Sequence, residues 1–237
     1  VANRSGVLCV DKEYSPVIGF KFASDDKVEA IKYRSADDSK KFWWEGTAHK
    51  LWGQSYKDEN LKSLDDTVVI TEGEIDALSI LTAFKDYANL DVYSVPNGAP
   101  SKITDNKVDA SEDGRFKYVW EDREKFENKE RIILATDSDV SGDALADELS
   151  RRMNKAKCYR VDYKGCKDSN ELLLQDGAEE LRKQVLSAEP IPLHGLNNID
   201  HYSEDFQSLY DKGMPSGIST GFASVDELFT LATGNLY

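Results

Sequence analysis

Cysteines are few in this sequence and show no pairing pattern. Of 237 residues only Cys9, Cys158 and Cys166 are cysteines, and no C-x-x-C spacing occurs. Zinc sites and disulfide frameworks need closely spaced or numerous cysteines. We therefore expect reduced thiols, an intracellular reducing compartment and no zinc.

Long apolar runs and a P-loop are also missing. No stretch approaches the roughly 18 apolar residues of a membrane span, and no signal-peptide pattern opens the chain. We therefore expect no membrane partner. The pattern G-x-x-x-x-G-K-[ST] does not occur, which argues against a motor that hydrolyses ATP. The chain begins with Val1 and ends with Tyr237, and we interpret it as a fragment of a longer protein.

Positive charge is scarce as well. Thirty Lys and Arg stand against 44 Asp and Glu, which gives a net charge of −14. Such a balance argues against a protein that binds nucleic acid with its whole surface. An acidic metal site and solvated helices can account for part of the excess acid.

The segment Val68–Leu81 predicts a strand that turns directly into a helix. Its β-branched start is typical of a buried parallel strand, and Ile75 and Leu78 have helical spacing. Glu72 and Gly73 fall at the junction, where open α/β sheets place their ligands. Taken alone, Glu72 is equally well explained as a solvated residue at a strand end.

A second segment repeats this arrangement. Residues 132–135 predict another buried strand, after which Asp137 and Asp139 point the same way in an extended chain. Gly142 permits a turn into the next helix. If the two strands are neighbours, Glu72 joins both aspartates at one edge of the sheet.

Such a cluster of acids favours a bound cation. Two carboxylates about 4 Å apart repel by roughly 4 kcal/mol at an effective dielectric near 20. Ligands that are all oxygen favour Mg²⁺ or Mn²⁺, and we expect two ions. Magnesium held this way keeps positions open for phosphate oxygens, which suits phosphoryl transfer.

The two motifs together resemble the signatures of a toprim domain. They read Thr-Glu-Gly-Glu-Ile-Asp-Ala-Leu over 71–78 and Asp-Ser-Asp-Val-Ser-Gly-Asp-Ala over 137–144. Primases, type IA and II topoisomerases and some nucleases share this fold. The resemblance implies an α/β domain with a central, mostly parallel sheet flanked by helices. A generic doubly wound domain with a chance acidic edge is the alternative.

Residues before the first motif predict a small β-rich module with basic groups beside aromatics. Lys32 and Arg34 share one face of a strand, and Lys40 and Lys41 precede the Phe42-Trp43-Trp44 run. Basic and aromatic side chains together can hold phosphates and stack bases. An ordinary antiparallel sheet with one solvated face fits the pattern equally well.

This module extends the resemblance to one group. Lys-x-Arg, then Lys-Lys-Phe, then Leu51-Trp52-Gly53 upstream of a toprim domain resembles the primase halves of phage-type primase–helicases, relatives of Twinkle. The resemblance implies that Lys32, Arg34 and Lys40, with Lys41 as the alternative to Lys40, contact nucleotide phosphates or template. It also implies a phosphate-binding loop at Gly98.

Further acids fall at predicted helix starts. Asp168 before Glu171 predicts a helix N-cap with a capping-box acid. The family's Lys-Asp-x-Asn-Glu run implies instead that Asp168 is a metal ligand, with Lys167 facing phosphate and Asn170 in support. The remaining candidates for supporting the metal ligands, or for simply favouring the helix dipoles, are Glu74, Asp76 and Asp143.

Aromatic residues recur between positions 101 and 130 at spacing typical of an amphipathic helix. We expect Phe116, Tyr118, Trp120 and Phe126 to be core or covering residues and not a platform for stacked bases. Further along, Gly177 predicts the end of one helix, and residues 203–212 predict another.

The sequence predicts three parts: a basic β-rich subdomain (1–64), a toprim catalytic domain (65–188) and a helical linker leading into a truncated helicase (189–237). By resemblance we expect a DNA primase that makes short RNA primers from NTPs on single-stranded DNA. Asp137, Asp139 and Asp168 would hold the metal, and Glu72 would be either a ligand or the general base. The expected partners are the template, the primer, a ring helicase of the same chain that is hexameric at full length, and a DNA polymerase. The expected compartment is phage-infected cytoplasm or an organelle matrix.

Two other functions stay open. A toprim nuclease or topoisomerase would use the same acids on DNA phosphodiesters, although no tyrosine stands in a recognisable nucleophile setting. A non-catalytic module that tethers a helicase is the other, and the intact acids argue against it.

Overall fold

The N-terminal part of the chain forms an antiparallel sheet. The computed structural model describes residues 7–12, 15–24, 27–37, 39, 41–55, 61–104, 107–193, 202–213 and 217–228. The strands of this sheet pair in chain order and are β1 (Val7–Lys12), β2 (Ser15–Ser24), β3 (Lys27–Ser35) and β4 (Phe42–Gly46). Alternation along β2 buries Phe20 and Phe22, whereas Lys21 lies between them on the other face. The sheet thus has one apolar face to pack against its neighbour.

The central sheet is mostly parallel. Across the sheet its strands are β14 (Glu189–Pro190), β13 (Cys158–Arg160), β12 (Arg131–Ala135), β7 (Thr67–Thr71), β9 (Asp91–Ser94) and β5 (Trp52–Ser55). The four inner strands are parallel, and both edge strands are antiparallel. Two short ladders lie outside it: β6 (Lys62–Ser63) with β8 (Tyr87–Ala88), and β10 (Ile103–Thr104) with β11 (Lys107–Val108).

Helices cover both faces of this sheet. They are α1 (Glu74–Ala83), α2 (Lys117–Glu121), α3 (Val140–Met153) and α4 (Ser169–Leu186). Val69 and Ile133 belong to the apolar cluster that includes residues of α1, α4 and β2. Ile70 and Leu134, one position on, belong to the cluster that includes residues of α3. Apolar side chains on both faces explain the continuous hydrophobic runs of these strands and confirm the predicted toprim-type architecture.

The aromatic segment differs from the expected amphipathic helix. It forms a 3-10 helix (Ala110–Phe116), the short α2 and a second 3-10 helix (Arg123–Lys125). Phe116, Tyr118 and Phe126 are buried as expected, but Trp120 is 69% exposed. The prediction of a covering role is therefore wrong for Trp120, because it lies with Lys117 and Glu121 on the exposed face of α2.

Two other local predictions can be compared directly. Gly177 has φ of 86° and interrupts α4 at the predicted position. Residues 189–190 lie at the start of the predicted helical linker, and they form the edge strand β14. Proline is tolerated there because an edge strand leaves one row of backbone groups unpaired.

The chain divides into two compact units, Val1–Ile191 and Pro192–Tyr237. The second contains α5 (Ser203–Lys212), at its predicted position, and α6 (Ala223–Asp226). The predicted boundaries after residues 64 and 188 stay predictions. β5 lies within the range 1–64, yet it pairs with β9 in the central sheet. No helix in the described ranges is long and apolar enough to cross a membrane.

We predict that Trp52→Ala lowers the free energy of unfolding by about 3–5 kcal/mol. Trp52 is 1% exposed, and its ring meets that of Phe20 edge to face at 5.3 Å, which joins β5 to the N-terminal sheet. Urea unfolding followed by circular dichroism measures the change. Trp120→Ala is the matched control and should stay within about 0.5 kcal/mol of the wild type. Equal losses in both variants would contradict this role of Trp52.

Candidate active site

The pairing of β7 with β12 brings the two acidic motifs together. The strands run parallel with Thr71 opposite Ala135, so Glu72 and Thr136 leave the sheet side by side. The predicted neighbourhood of these two strands is confirmed. Asp137 follows at once, and its charge contributes to a raised pKa of Glu72.

Glu72 is held by only one of its two oxygens. Its Oε1 accepts a hydrogen bond from the Ala99 amide at 3.2 Å. Its Oε2 is buried and has no hydrogen-bond partner among the described residues. Burial is the main cause that raises the pKa of Glu72, and the nearby Asp137 adds to it. A half-satisfied buried carboxylate is a natural position for a cation or a transferable proton.

Lys167 lies between the two aspartates of the second motif. Its Nζ is 2.9 Å from Asp137 Oδ2 and 3.5 Å from Asp139 Oδ2. Asp139 also N-caps α3, because its Oδ1 accepts from the Gly142 amide at 2.9 Å. Burial raises the pKa of Asp137, and Lys167 opposes that rise. The Lys167 ammonium thus supplies positive charge to acids that were predicted to hold a metal ion. Lys167 itself was predicted to face a phosphate, and here it pairs with these two aspartates.

Asp76 is a deeply buried acid of the site. Burial, followed by the charges of Asp168 and Asp137, raises the pKa of Asp76 to about 8. Its Oδ1 accepts from the Asn170 amide at 3.2 Å, so Asn170 supports it as a backbone donor. A Cβ on Gly73 would lie only 2.8 Å from Asp76 Oδ2, so a side chain there would displace this carboxylate. Asp76 is therefore a member of the acidic group and more than a residue that favours the helix dipole.

Asp168 has the structural role that its spacing predicts. It N-caps α4, because its Oδ1 accepts from the Glu171 amide at 2.8 Å. Its charge nevertheless reaches Asp76 and Asp137 and raises the pKa of both. The ligand role of Asp168 stays a prediction.

The acids fit a divalent cation in chemistry. Among the described residues, no three His, Cys, Asp or Glu side chains stand in a ready-made metal-ligand arrangement. The set is nevertheless all oxygen, contains the unpartnered Glu72 Oε2, and is neutralised by an ammonium at Asp137 and Asp139. These are the properties of a site for a hard cation such as Mg²⁺.

The N-terminal sheet supplies the other wall of the site. Lys32 and Arg34 share one face of β3 as predicted, and they pair with Trp44 and Phe42 of β4, which places all four side chains on that face. Lys32 Nζ lies 2.8 and 3.0 Å from the two carboxylate oxygens of Glu74 and 3.2 Å from a backbone carbonyl. Burial raises the pKa of Glu74, and Lys32 opposes that rise.

A cleft of about 500 Å³ collects most of the predicted residues. Those that line it are Lys32, Arg34, Glu72, Glu74, Asp76, Gly98, Asp137 and Lys167. Gly98 has φ of 63° and turns the loop that aims the Ala99 amide at Glu72. Predicted residues outside its lining are Lys41, Asp139, Asp143, Asp168 and Asn170, and Lys40 is outside the described residues. Lys41 is exposed, and its amide bonds to Ser35 Oγ at 2.9 Å.

Arg160 contributes to the site, although no pattern in the sequence indicated it. Its guanidinium donates to the carbonyls of Thr136 and Asp137, both at 2.7 Å, and to Asp143 Oδ1 at 3.0 Å. Asp143 thus anchors Arg160 at the outer end of the turn. A Cβ on Gly142 would lie 2.1 Å from the Asp137 carbonyl oxygen, so α3 also fits tightly against this turn. Arg160 and Gly142 together fix the backbone that carries Asp137.

Comparison with known proteins agrees with this geometry. Residues 69–173 match the family model described as Toprim-like. The chain is 32% identical over 234 residues to the Twinkle homolog protein, chloroplastic/mitochondrial, of Arabidopsis thaliana, covering 93% of this chain and 31% of that protein. It is 35% identical over 201 residues to the Primase homolog protein of Arabidopsis thaliana, covering 81% of this chain and 55% of that protein.

A solved structure shares the fold. The primase fragment of the bacteriophage T7 primase–helicase has a TM-score of 0.59 and 24% identity, with 78% of this chain and 68% of that chain covered. The chain spans about a third and about half of its two plant relatives. It carries a toprim domain and resembles the primase halves of Twinkle-like and phage-type primase–helicases.

Proposed function

We propose that the chain is the catalytic, RNA-polymerising part of a DNA primase, which joins nucleoside triphosphates on single-stranded DNA. The supporting observation is the convergence of Glu72, Asp76 and Asp137 in one cleft whose other wall carries Arg34. Nucleotidyl transfer requires acidic side chains that hold a cation and basic side chains that bind phosphate. The relatives named as primase and Twinkle homologs support the same reaction.

Glu72, Asp137, Asp139 and Asp168 would hold Mg²⁺ or Mn²⁺, as one or two ions. When bound, such an ion polarises the α-phosphate and neutralises charge on the departing pyrophosphate. Lys167, now paired with Asp137 and Asp139, becomes available to a phosphate once those acids have another counter-charge. Glu72, with its raised pKa, is either a ligand or the base that takes the proton of the attacking 3′-hydroxyl.

The N-terminal wall would hold the nucleic acid. Arg34 offers a guanidinium fork for phosphates, and the rings of Phe42 and Trp44 offer faces for bases. Lys32 already neutralises Glu74 and lies 5.3 Å from the Phe42 ring centroid. Its contribution to nucleotide binding is therefore to keep this wall in place.

The proposed partners follow from this reaction. They are the DNA template, NTPs, the nascent RNA primer, a DNA polymerase that extends it, and a ring helicase on the longer chain that assembles as a hexamer. The plant relative named as chloroplastic/mitochondrial supports an organelle matrix as the compartment.

We predict that Asp137→Asn and Asp139→Ala each reduce primer extension at least about 100-fold, because each removes a metal ligand. The assay extends a preformed dinucleotide with NTPs on a DNA template in Mg²⁺. Asp147→Asn, an exposed acid of the same helix α3, is the control and should remain active. Unchanged extension in Asp137→Asn would contradict the proposal, and DNA nicking without NTPs would favour the nuclease alternative.

We predict that Arg160→Lys lowers kcat for extension by about tenfold while the KM for NTP changes little. The planar guanidinium of Arg160 contacts two backbone carbonyls and Asp143 together. A lysine ammonium keeps the charge but cannot make all three contacts. Arg131→Lys is the matched control, since Arg131 donates to the Ala188 carbonyl away from the acids. Wild-type kcat in Arg160→Lys would remove this positioning role.

We predict that Asp76→Asn stabilises the protein more at pH 8 than at pH 5 when a chelator is present. The folded chain keeps the Asp76 carboxyl protonated up to a pKa of about 8, whereas an ordinary aspartate ionises near 3.8. The folded state therefore binds more protons between these values, and stability falls as the pH rises. Urea unfolding at both pH values tests this, with Asp147→Asn as the control. An equal effect at both pH values would be inconsistent with a raised pKa.

A further inference from the structure

A second cleft, of about 450 Å³, lies beside α2 and α3. It shares no lining residue with the catalytic cleft. The lining that matters here is Phe116, Trp120, Arg123, Phe126, Arg152 and Lys157. Nothing in the proposed reaction uses these side chains, so their arrangement needs its own explanation.

Aromatic rings form its inner wall and its rim. Phe116 and Phe126 are each 3% exposed and belong to the apolar cluster under α3. Trp120 is 69% exposed, so its indole is accessible at the rim. The guanidinium of Arg123 lies 4.5 Å from the indole centroid. The rim therefore presents a ring next to a positive charge.

The charge of this cleft is opposite to that of the whole chain. Its lining contains three cations against one carboxylate, Glu127, in a protein of net charge −14. Arg152 is committed to Glu148 and Asp113 and covers the Phe116 ring. Lys157 Nζ donates only to backbone carbonyls among the described residues, at 2.9 and 3.3 Å.

Arg123 keeps part of its guanidinium open to a ligand. Its Nη1 donates to the Trp120 carbonyl at 3.1 Å, and its Nε lies 4.0 Å from an oxygen of Glu127. The side chains of Arg123 and Glu127 are both more than a third exposed. Such an exposed pair contributes little and is readily exchanged for a better anion. Two positive groups, Arg123 and Lys157, therefore line the cleft that Trp120 borders.

We propose that this cleft, named the Trp120 cleft, binds one or two nucleotides of a single-stranded nucleic acid. A base of the strand stacks on the Trp120 indole, and the backbone phosphates of the same strand pair with Arg123 and Lys157. Stacking rings beside cations are what sequence-independent single-strand binding uses. The volume is that of a small-ligand pocket and is too small for a folded partner. The inference goes beyond the proposed reaction, because this binding needs neither metal nor the acidic cluster.

The test measures binding of a short fluorescein-labelled oligothymidylate by fluorescence anisotropy, with EDTA present. Trp120→Ala and Arg123→Gln should each weaken binding about tenfold, in keeping with the contribution of one base–aromatic stack. Arg151→Gln is the matched control. This substitution also removes one arginine charge, in α3, but Arg151 does not line the cleft. It should bind as the wild type. Circular dichroism confirms that each variant is folded.

A photocross-link locates the strand. An oligonucleotide containing 5-iodouracil should attach to Trp120 in the wild type and lose that cross-link in Arg123→Gln. Equal weakening by Arg123→Gln and Arg151→Gln would show diffuse electrostatics and overturn the proposal. Cross-links confined to Phe42 and Trp44 would also overturn it. Unchanged binding by Trp120→Ala would overturn it as well and would favour a peptide as the ligand of this cleft. Failure of the primase proposal would appear separately, as absent primer extension with this binding intact.

Discussion

The in-register parallel pairing of β7 with β12 is the constraint on which the site depends. With Thr71 opposite Ala135, the residues that follow each strand leave the sheet at the same level. Both strands are buried on both faces, and their close packing against side chains of the helices on either side disfavours any other register. A shift of one residue would exchange the two faces and would also separate Glu72 from Asp137. The apolar core therefore determines the position of the acids.

Several carboxylates at one edge of the sheet repel each other and destabilise the fold unless their charges are neutralised. The structure neutralises them in three ways. Lys167 pairs with Asp137 and Asp139, burial raises the pKa of Asp76 and so favours its neutral form, and one oxygen each of Asp139 and Asp168 caps a helix. Each arrangement satisfies only part of a carboxylate. The remaining oxygens, above all the unpartnered Oε2 of Glu72, keep an affinity for a cation. The same features that make the acids tolerable in the fold thus leave them able to exchange an ammonium or a proton for a metal.

The two walls of the cleft are held together by contacts distant in sequence. Lys32 and Glu74 form a buried ion pair between β3 and α1, and Phe20 meets Trp52 between β2 and β5. A buried pair of this kind adds little net stability, but loss of one partner leaves an uncompensated charge, which costs about 3–5 kcal/mol. The pair therefore acts mainly on geometry. It keeps the basic and aromatic face of the N-terminal sheet opposite the acids.

What the sequence predicted and what it missed follow from the range of the interactions involved. Glu72, Asp137, the break at Gly177 and the helix α5 depend on local periodicity or on one strand–turn–helix motif, which a single sequence displays. The carbonyl contacts of Arg160, the partner of Lys32 and the edge strand β14 depend on neighbours far away in the chain, which no spacing records. Trp120 shows the limit most clearly, since its neighbours in an aromatic run are buried while it is exposed. Trp120 lies on the outward face of the short helix α2, beside the exposed Lys117 and Glu121, and an aromatic run alone carries no signal for which ring faces solvent.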